Sequence, residues 1–436
     1  MLTREFAKIL QQNKLYEERV GVFSICSAHP DVLEASMLHA KLRGYLLIIE
    51  ATSNQVNQFG GYTGMTPKDF VSFVGEIANR ADYPMRNILL GGDHLGPNIW
   101  KNEPAQEAMV KACEMVRQFV IAGFRKIHLD ASMFCADDLG DRSRPLDDEI
   151  VAHRSAMLCE SAEKSWLESF ASGDEPPYYI IGTEVPIPGG MVSRHSGVEP
   201  TSPEDALKTI EVTQRVFYEQ QLHSAWDRVV GLVIQPGVEF GDDEVVIYEP
   251  DKARGLHRAI KPLKNLVCEA HSTDYQTKTA LNSLVADHCC ILKVGPWVTY
   301  AYREAMFSLE LIEKELHRSF GFVDLSNLRE TIEKIMMEEP KYWKDYYSDG
   351  PELSMKIAYS YSDRLRYYWP NASIRLAVKI LLGNLEKIVI PRSLISQYFP
   401  IEYGEIMEGK LENTAKALLI RHIQLVLDIY ADACGW

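Results

Sequence analysis

The groups that could do chemistry are most concentrated in Ile88-Leu89-Leu90-Gly91-Gly92-Asp93-His94-Leu95-Gly96-Pro97. An apolar run that stops abruptly at an acid, an imidazole and two helix-incompatible residues reads as a buried strand whose last side chains emerge at a rim. A single Asp-His strand end is an ordinary solvated turn in many proteins, but here the pattern repeats. Apolar runs also end in Ser27 and His29, in Glu50, in His128 and Asp130, in Glu184, in Gln235, in Glu269 and His271, and in Lys293.

Three chemistries follow from these residue types. His94, Glu184 and His271 are hard-to-borderline ligands of the kind that hold a catalytic divalent metal, zinc above all, with positions left open for substrate oxygens. Such a metal would polarise a ketose carbonyl and stabilise the enediolate left after proton removal or carbon–carbon cleavage, with Asp93 as acid/base and Glu50 beside it. Lys293, inside Ile291-Leu292-Lys293-Val294-Gly295, is open to two readings: a desolvated Schiff-base nucleophile, or a cation paired with a rim carboxylate that neutralises a substrate oxyanion. The ion-pair reading is preferred. Candidates for substrate contact are His29, Asn54, Gln55, His128, Asp130, Gln235, Ser272, Asp274 and Gly295; the last lies where barrels present backbone N–H groups to phosphate. Arg194 and His195 could add charge. A strand-end histidine can equally hydrogen-bond a loop, and no compact ligand spacing such as HExxH is present.

Positioning these tips requires eight strands, and the sequence supplies them in alternation with helices. Strands are expected over 19–26, 46–51, 88–97, 126–131, 178–185, 229–235, 265–271 and 289–295, most too apolar to have an exposed face. Thr66-Pro67 and Ser202-Pro203 are N-cap signals with proline at the first helical position. The count specifies an α/β fold, a closed (β/α)8 TIM barrel over 1–316, with the active site at the C-terminal ends of the strands. An open doubly wound sheet is disfavoured because Cys26-Ser27-Ala28-His29-Pro30 carries no GxGxxG. From 317 to 436 only helix-period segments follow (325–337, 374–385, 413–429), with dense Tyr and Trp and with Arg364 and Arg366 among them. That composition predicts an all-helical C-terminal domain that docks on the barrel and supplies surface for self-association or a partner.

The 436 residues are 46% hydrophobic and 25% charged, with a formal net charge of -15. Without a basic block, nucleic acid is not an expected partner. No apolar run approaches the roughly 20 residues of a membrane span and the first residues do not form a signal peptide, so a soluble, cytoplasmic protein is expected. The eight cysteines show no CxxC spacing and several sit in apolar runs, as buried reduced thiols do.

Several long segments resemble one family. Cys26 to Pro30 (CSAHP), Glu50 to Met65 (EATSNQVNQFGGYTGM), Gly91 to Asn98 (GGDHLGPN), Lys126 to Met133 (KIHLDASM), Gly182 to Gly190 (GTEVPIPGG), Gln235 to Phe240 (QPGVEF), Glu269 to Thr277 (EAHSTDYQT) and Leu292 to Pro296 (LKVGP) are similar to the Z-type subunits of D-tagatose-1,6-bisphosphate aldolase, the GatZ/KbaZ family. The likeness continues through Glu339 to Trp343, Tyr367 to Pro370 and Ile395 to Tyr398. It implies a class II aldolase-like barrel that supports the activity and stability of a separate Y-type catalytic subunit in galactitol or N-acetylgalactosamine (tagatose) catabolism. Self-association is a further expectation. The alternative is a stand-alone metal-dependent enzyme on a ketose or ketose phosphate, acting by retro-aldol cleavage or 4-epimerisation. An older label for the family, tagatose-6-phosphate kinase, finds no P-loop GxxxxGK[ST] here.

Overall fold

The computed structural model describes residues 2–16, 18–169, 175–182, 198–263, 265–322 and 324–436. Ten strands occur among them: β1 (Val22–Cys26), β2 (Leu47–Thr52), β3 (Ile88–Leu95), β4 (Lys126–Leu129), β5 (Tyr178–Gly182), β6 (Val229–Ile234), β7 (Glu239–Phe240), β8 (Val245–Val246), β9 (Val267–Ala270) and β10 (Ile291–Val294). Eight of them close a parallel barrel in the order β1-β2-β3-β4-β5-β6-β9-β10 and back to β1. The short antiparallel pair β7 and β8, absent from the sequence expectation, is a hairpin in the loop after β6. Two-residue strands carry too few apolar positions to register as a period.

Side-chain alternation divides the interior from the helical layer. In β2, Ile48 points inward and Leu47 and Ile49 outward, and the inward set includes Leu89, Ile180, Val267 and Ile291. The N-terminal helix Leu2–Tyr16 joins that inward set through Phe6, Ile9 and Leu10, so it plugs the bottom of the barrel. At about 1.5–3 kcal/mol for each fully buried large apolar side chain, these three contribute several kcal/mol.

Helix boundaries follow local chemistry. Thr66 accepts from the Asp69 backbone N–H while Asp69 reaches back to the Thr66 N–H, a reciprocal cap with Pro67 at the first helical position. Ser202 caps the helix Pro203–Glu219 through the Asp205 N–H. The helix Lys278–Ala286 begins under a Thr277 cap, whose side chain accepts from the Ala280 N–H. Ser272 and Tyr275 are held at φ of 53° and 63°, so the chain turns tightly before it can wind.

Residues 317–436 are helical where they are regular, in Leu328–Glu338, Leu353–Tyr359, Ala372–Leu385, Arg392–Tyr398, Pro400–Met407 and Ala415–Ala433. Their apolar faces belong to the same hydrophobic cluster as the outer faces of the barrel strands. The last of these helices lies against Pro30–Arg43, Lys278–Ala286 and Trp297–Phe320, filling the outer layer beside β1. Beyond it, the Gly21 N–H donates to the Cys434 carbonyl and Trp436 Nε1 to the Gly21 carbonyl, which ties this helix to the entry of β1.

Candidate active site

The inward side chains of the upper barrel are ionic. Lys126, at the start of β4, is wholly buried with its Nζ 2.6 Å from Glu50 Oε1 of β2 and 2.7 Å from Glu269 Oε2 of β9. Lys293 of β10 contacts the other Glu50 oxygen and lies 3.0 Å from Asp93 Oδ2 of β3. Asp93 Oδ1 is 3.0 Å from His128 Nδ1, and His271 Nε2 is 3.0 Å from Glu269 Oε1. The result is a continuous chain of opposite charges across the barrel, Glu269, Lys126, Glu50, Lys293 and Asp93, with an imidazole at each end.

Above this chain, His94 Nδ1 lies 2.8 Å from Asp130 Oδ2, and its Nε2 is 3.7 Å from Asp93 Oδ2. The rings of His94, His128 and His271 stand 4.9–5.5 Å apart, centroid to centroid. Two glycines make the approach possible. A Cβ at Gly91 would sit 2.7 Å from Glu50 Cγ, and one at Gly96 would fall 1.5 Å from the Asp130 carbonyl oxygen. His94 itself is held at φ of 49°, a conformation costly for a side chain of this kind and common where a site dictates geometry.

Electrostatics keep the acids ionised. Burial opposes the charge on Asp93, yet the His94, His128 and His271 imidazoles hold its carboxyl well below the usual range. Burial likewise opposes Glu269, but Lys126 and His271 bring it down to about 2. Asp130 is lowered by His94 against the same penalty. Burial draws Lys293 down to about 8, still a cation at neutral pH. His128 Nε2 is 3.2 Å from the Gly182 carbonyl, which can only accept, so Nε2 carries a proton. Its Nδ1 lies 3.0 Å from Asp93 Oδ1 and 3.3 Å from the His94 backbone N–H, from which it accepts.

The donor set fits a divalent cation. Four carboxylates (Glu50, Asp93, Asp130, Glu269) face two ammonium groups, so the cluster is net anionic. Ligand atoms of Asp93, His128, Glu269 and His271 lie within 4.8 Å of one another. The Asp130 carboxylate behind His94 Nδ1 is the arrangement that orients a ligating imidazole through its other nitrogen. The structure thus brings His94 and His271 of the expected metal set together. Glu184 lies outside the described residues, as do Arg194 and His195.

The remaining expected residues divide. Gln55 belongs to the mouth: its Oε1 accepts from the Thr52 N–H at 2.8 Å and lies 3.9 Å from Cys26 Sγ, itself 3.7 Å from Asp93. Asn54 has an exposed side chain. His29 packs on Tyr302 and Trp369, away from the ionic chain, and burial pulls its imidazole down to about 4, so it is neutral. Gln235 spends its carbonyl on the Gly237 and Val238 N–H groups, and Ser272 lies 3.4 Å from buried Glu239. The Gly295 N–H, expected to meet phosphate, donates to the Asp274 carboxylate at 3.0 Å, as does the Trp297 N–H at 2.9 Å. The amides at the start of the last barrel helix are therefore capped from within.

The sequence reading passed over Lys126, although Lys126, His128 and Asp130 share one strand parity. It also missed half-buried Cys26 and buried Glu239 as neighbours of the site. Above the mouth, the segment Arg364–Tyr367 brings in Arg366, whose guanidinium donates to the Asp363 carbonyl at 3.0 Å and to Tyr367 Oη at 3.1 Å. It also acts on Tyr62 of the loop after β2 and on Asp274 of the loop after β9. Arg364, by contrast, is stacked on Tyr346.

A solved structure from Sinorhizobium meliloti 1021, described as a probable tagatose 6 phosphate kinase, is 45% identical, with a TM-score of 0.86 over 95% of this chain and 100% of its own. The fructose-bisphosphate aldolase of Campylobacter jejuni is 13% identical, with a TM-score of 0.48 over 88% of this chain and 92% of that one. The YdjI aldolase of Escherichia coli K12 is 10% identical, with a TM-score of 0.41 over 71% of this chain and 86% of that one. At that distance neither aldolase carries an argument about this chain. Residues 6–435 match the family described as D-tagatose-1,6-bisphosphate aldolase subunit GatZ/KbaZ-like, and the chain belongs to that family.

Proposed function

We propose that this aldolase subunit binds a ketose bisphosphate in its own barrel mouth around a divalent cation, zinc being the best match to the imidazoles and carboxylates, and that it acts together with a Y-type catalytic subunit. The observation that carries the reading is the intact ionic chain from Glu269 to Asp93. A barrel retained only as a scaffold has no need of five alternating buried charges, because buried ion pairs seldom repay their desolvation in stability.

Each residue has a role in this reading. His94 and His271, with Asp93, His128 or Glu269 completing the set, would hold the cation, and Asp130 fixes the His94 ring. The cation, when bound, supplies Lewis-acid polarisation of a carbonyl oxygen. Asp93, with His128 3.0 Å from its Oδ1, can give or take a proton at a substrate hydroxyl. Lys293 stays cationic and faces developing negative charge on oxygen, while Glu50 and Lys126 hold it in place. Arg366 offers its charge to a substrate phosphate from above.

The test compares cleavage of tagatose 1,6-bisphosphate by a Y-type subunit alone, with this chain, and with its H94A or H271A variant, alongside metal content of each preparation. Expected is stimulation by the native chain, and loss of both bound metal and stimulation in the variants. Full stimulation by metal-free variants would overturn the role of the mouth.

A further inference from the structure

A second cluster of metal-binding groups lies outside the barrel interior. Cys268 of β9 alternates with Glu269, so while Glu269 points into the barrel Cys268 faces the helical layer. Its backbone N–H donates to the His288 carbonyl at 3.0 Å, which brings Cys289 alongside. His257, in the last turn of the helix Pro250–Ile260, completes the group. One ring nitrogen of His257 and the sulfurs of Cys268 and Cys289 lie within 4.8 Å of one another, with both thiols wholly buried.

The hydrogen bonds around His257 fix which nitrogen is presented. Tyr248 donates its O–H to Asp287 at 2.8 Å. Its oxygen must then accept from His257 Nε2, 3.0 Å away, so Nε2 carries the ring proton. Nδ1 is left buried with its lone pair. The two thiols beside the ring are its partners, as hydrogen-bond donors when protonated and as fellow ligands when a metal binds. An imidazole whose second nitrogen is anchored through Tyr248 to a carboxylate is also the supporting pattern of a ligating histidine.

We propose that His257, Cys268 and Cys289 form a zinc site distinct from the mouth. Thiolate and imidazole together suit this borderline cation, and two thiolates with a neutral imidazole cancel its charge, as a buried site requires. The sulfurs bind as thiolates, with any thiol proton released to solvent. A cavity of about 470 Å³, lined by Asn13, Arg254, His257, Arg258, Asp287 and His288, reaches His257 from outside. Because Cys268 precedes Glu269 in the same strand, a metal here would also pin the backbone that carries one end of the ionic chain.

The experiment loads the full-length chain with cobalt as a zinc probe. Expected is a thiolate-to-cobalt charge-transfer band, which the imidazoles and carboxylates of the mouth cannot produce and which a C26S variant, lacking the one thiol beside Asp93 among the described residues, should retain. The band should survive in the H94A/H271A variant and vanish in C268S/C289S together with one equivalent of metal. No band at saturating cobalt, a band that persists in C268S/C289S, or a Cys268–Cys289 disulfide in protein prepared without reductant would overturn the proposal. Should the double variant fail to fold, X-ray absorption at the zinc edge of the native chain decides it. Sulfur scatterers at about 2.3 Å support the site, and a shell of nitrogen and oxygen alone overturns it.

Discussion

Lys126 is the residue on which the mouth depends, since it is the only cation between Glu50 and Glu269 among the described residues. Replacing it with methionine would leave two buried carboxylates facing each other. Breaking a buried pair from one side costs about 3–5 kcal/mol. K126M should therefore lose stability on that scale in denaturant unfolding, and adding E50Q should restore part of it. The neighbouring Lys293 leads to a different expectation: with Asp93 at 3.0 Å and Glu50 in contact, its ammonium is held charged. Borohydride treatment with a ketose present should leave no adduct on Lys293 by mass spectrometry. Much of this set was legible because strand-end polar residues stand out against apolar runs; Asp93, His94, His128, Asp130, Glu269, His271 and Lys293 all announced themselves that way. Lys126 did not, because it lies at the start of its strand, where a charge is usually solvated. Nor could the fates of Asn54, Gln235 and Gly295 be read, since whether an amide faces a ligand or a neighbouring side chain is decided by loops packed in three dimensions.

At the scale of elements, the eight barrel strands and the helices around them were readable from alternation and caps, whereas the hairpin β7 and β8 and the tight turn ahead of Thr277 were not. Their signals are two residues long or reside in dihedral angles. The packing of the tail on the barrel also turns on single contacts. His422, on Ala415–Ala433, lies 2.7 Å from Glu402 and 3.5 Å from Glu304 of Trp297–Phe320. Burial works against its charge, but the two carboxylates raise it to about 9. A folded-state value above the unfolded one of roughly 6.5 means the stabilisation is complete below that pH and is lost as pH rises through the folded value. Melting temperature should thus fall between about pH 6.5 and 9, by the equivalent of on the order of 2 kcal/mol. H422Q should flatten that slope and lower stability at pH 6; an unchanged slope would show that the pair contributes nothing.

For the whole molecule, barrel and tail share one hydrophobic cluster, and the tail also sets Arg366 over Tyr367, which packs on Tyr62 of the loop after β2. A chain ending at Leu316 would expose the outer faces that Leu418, Ile423 and Leu427 cover. Light scattering should find it aggregated, and pull-down should find it unable to hold a Y-type subunit; a soluble barrel of unchanged mass that still binds would assign the tail another role. The route of the chain also carries a consequence for biosynthesis. The helix that covers β1 is Ala415–Ala433, so this strand leaves the ribosome long before the segment that shelters its outer face is made. Pairings so distant in sequence form slowly, and until they form the nascent barrel presents apolar surface and an open strand edge. Ribosome-bound chains halted before residue 415 should therefore be cleaved by protease throughout the barrel and should recruit chaperones, with protection arriving in one step once that helix has emerged.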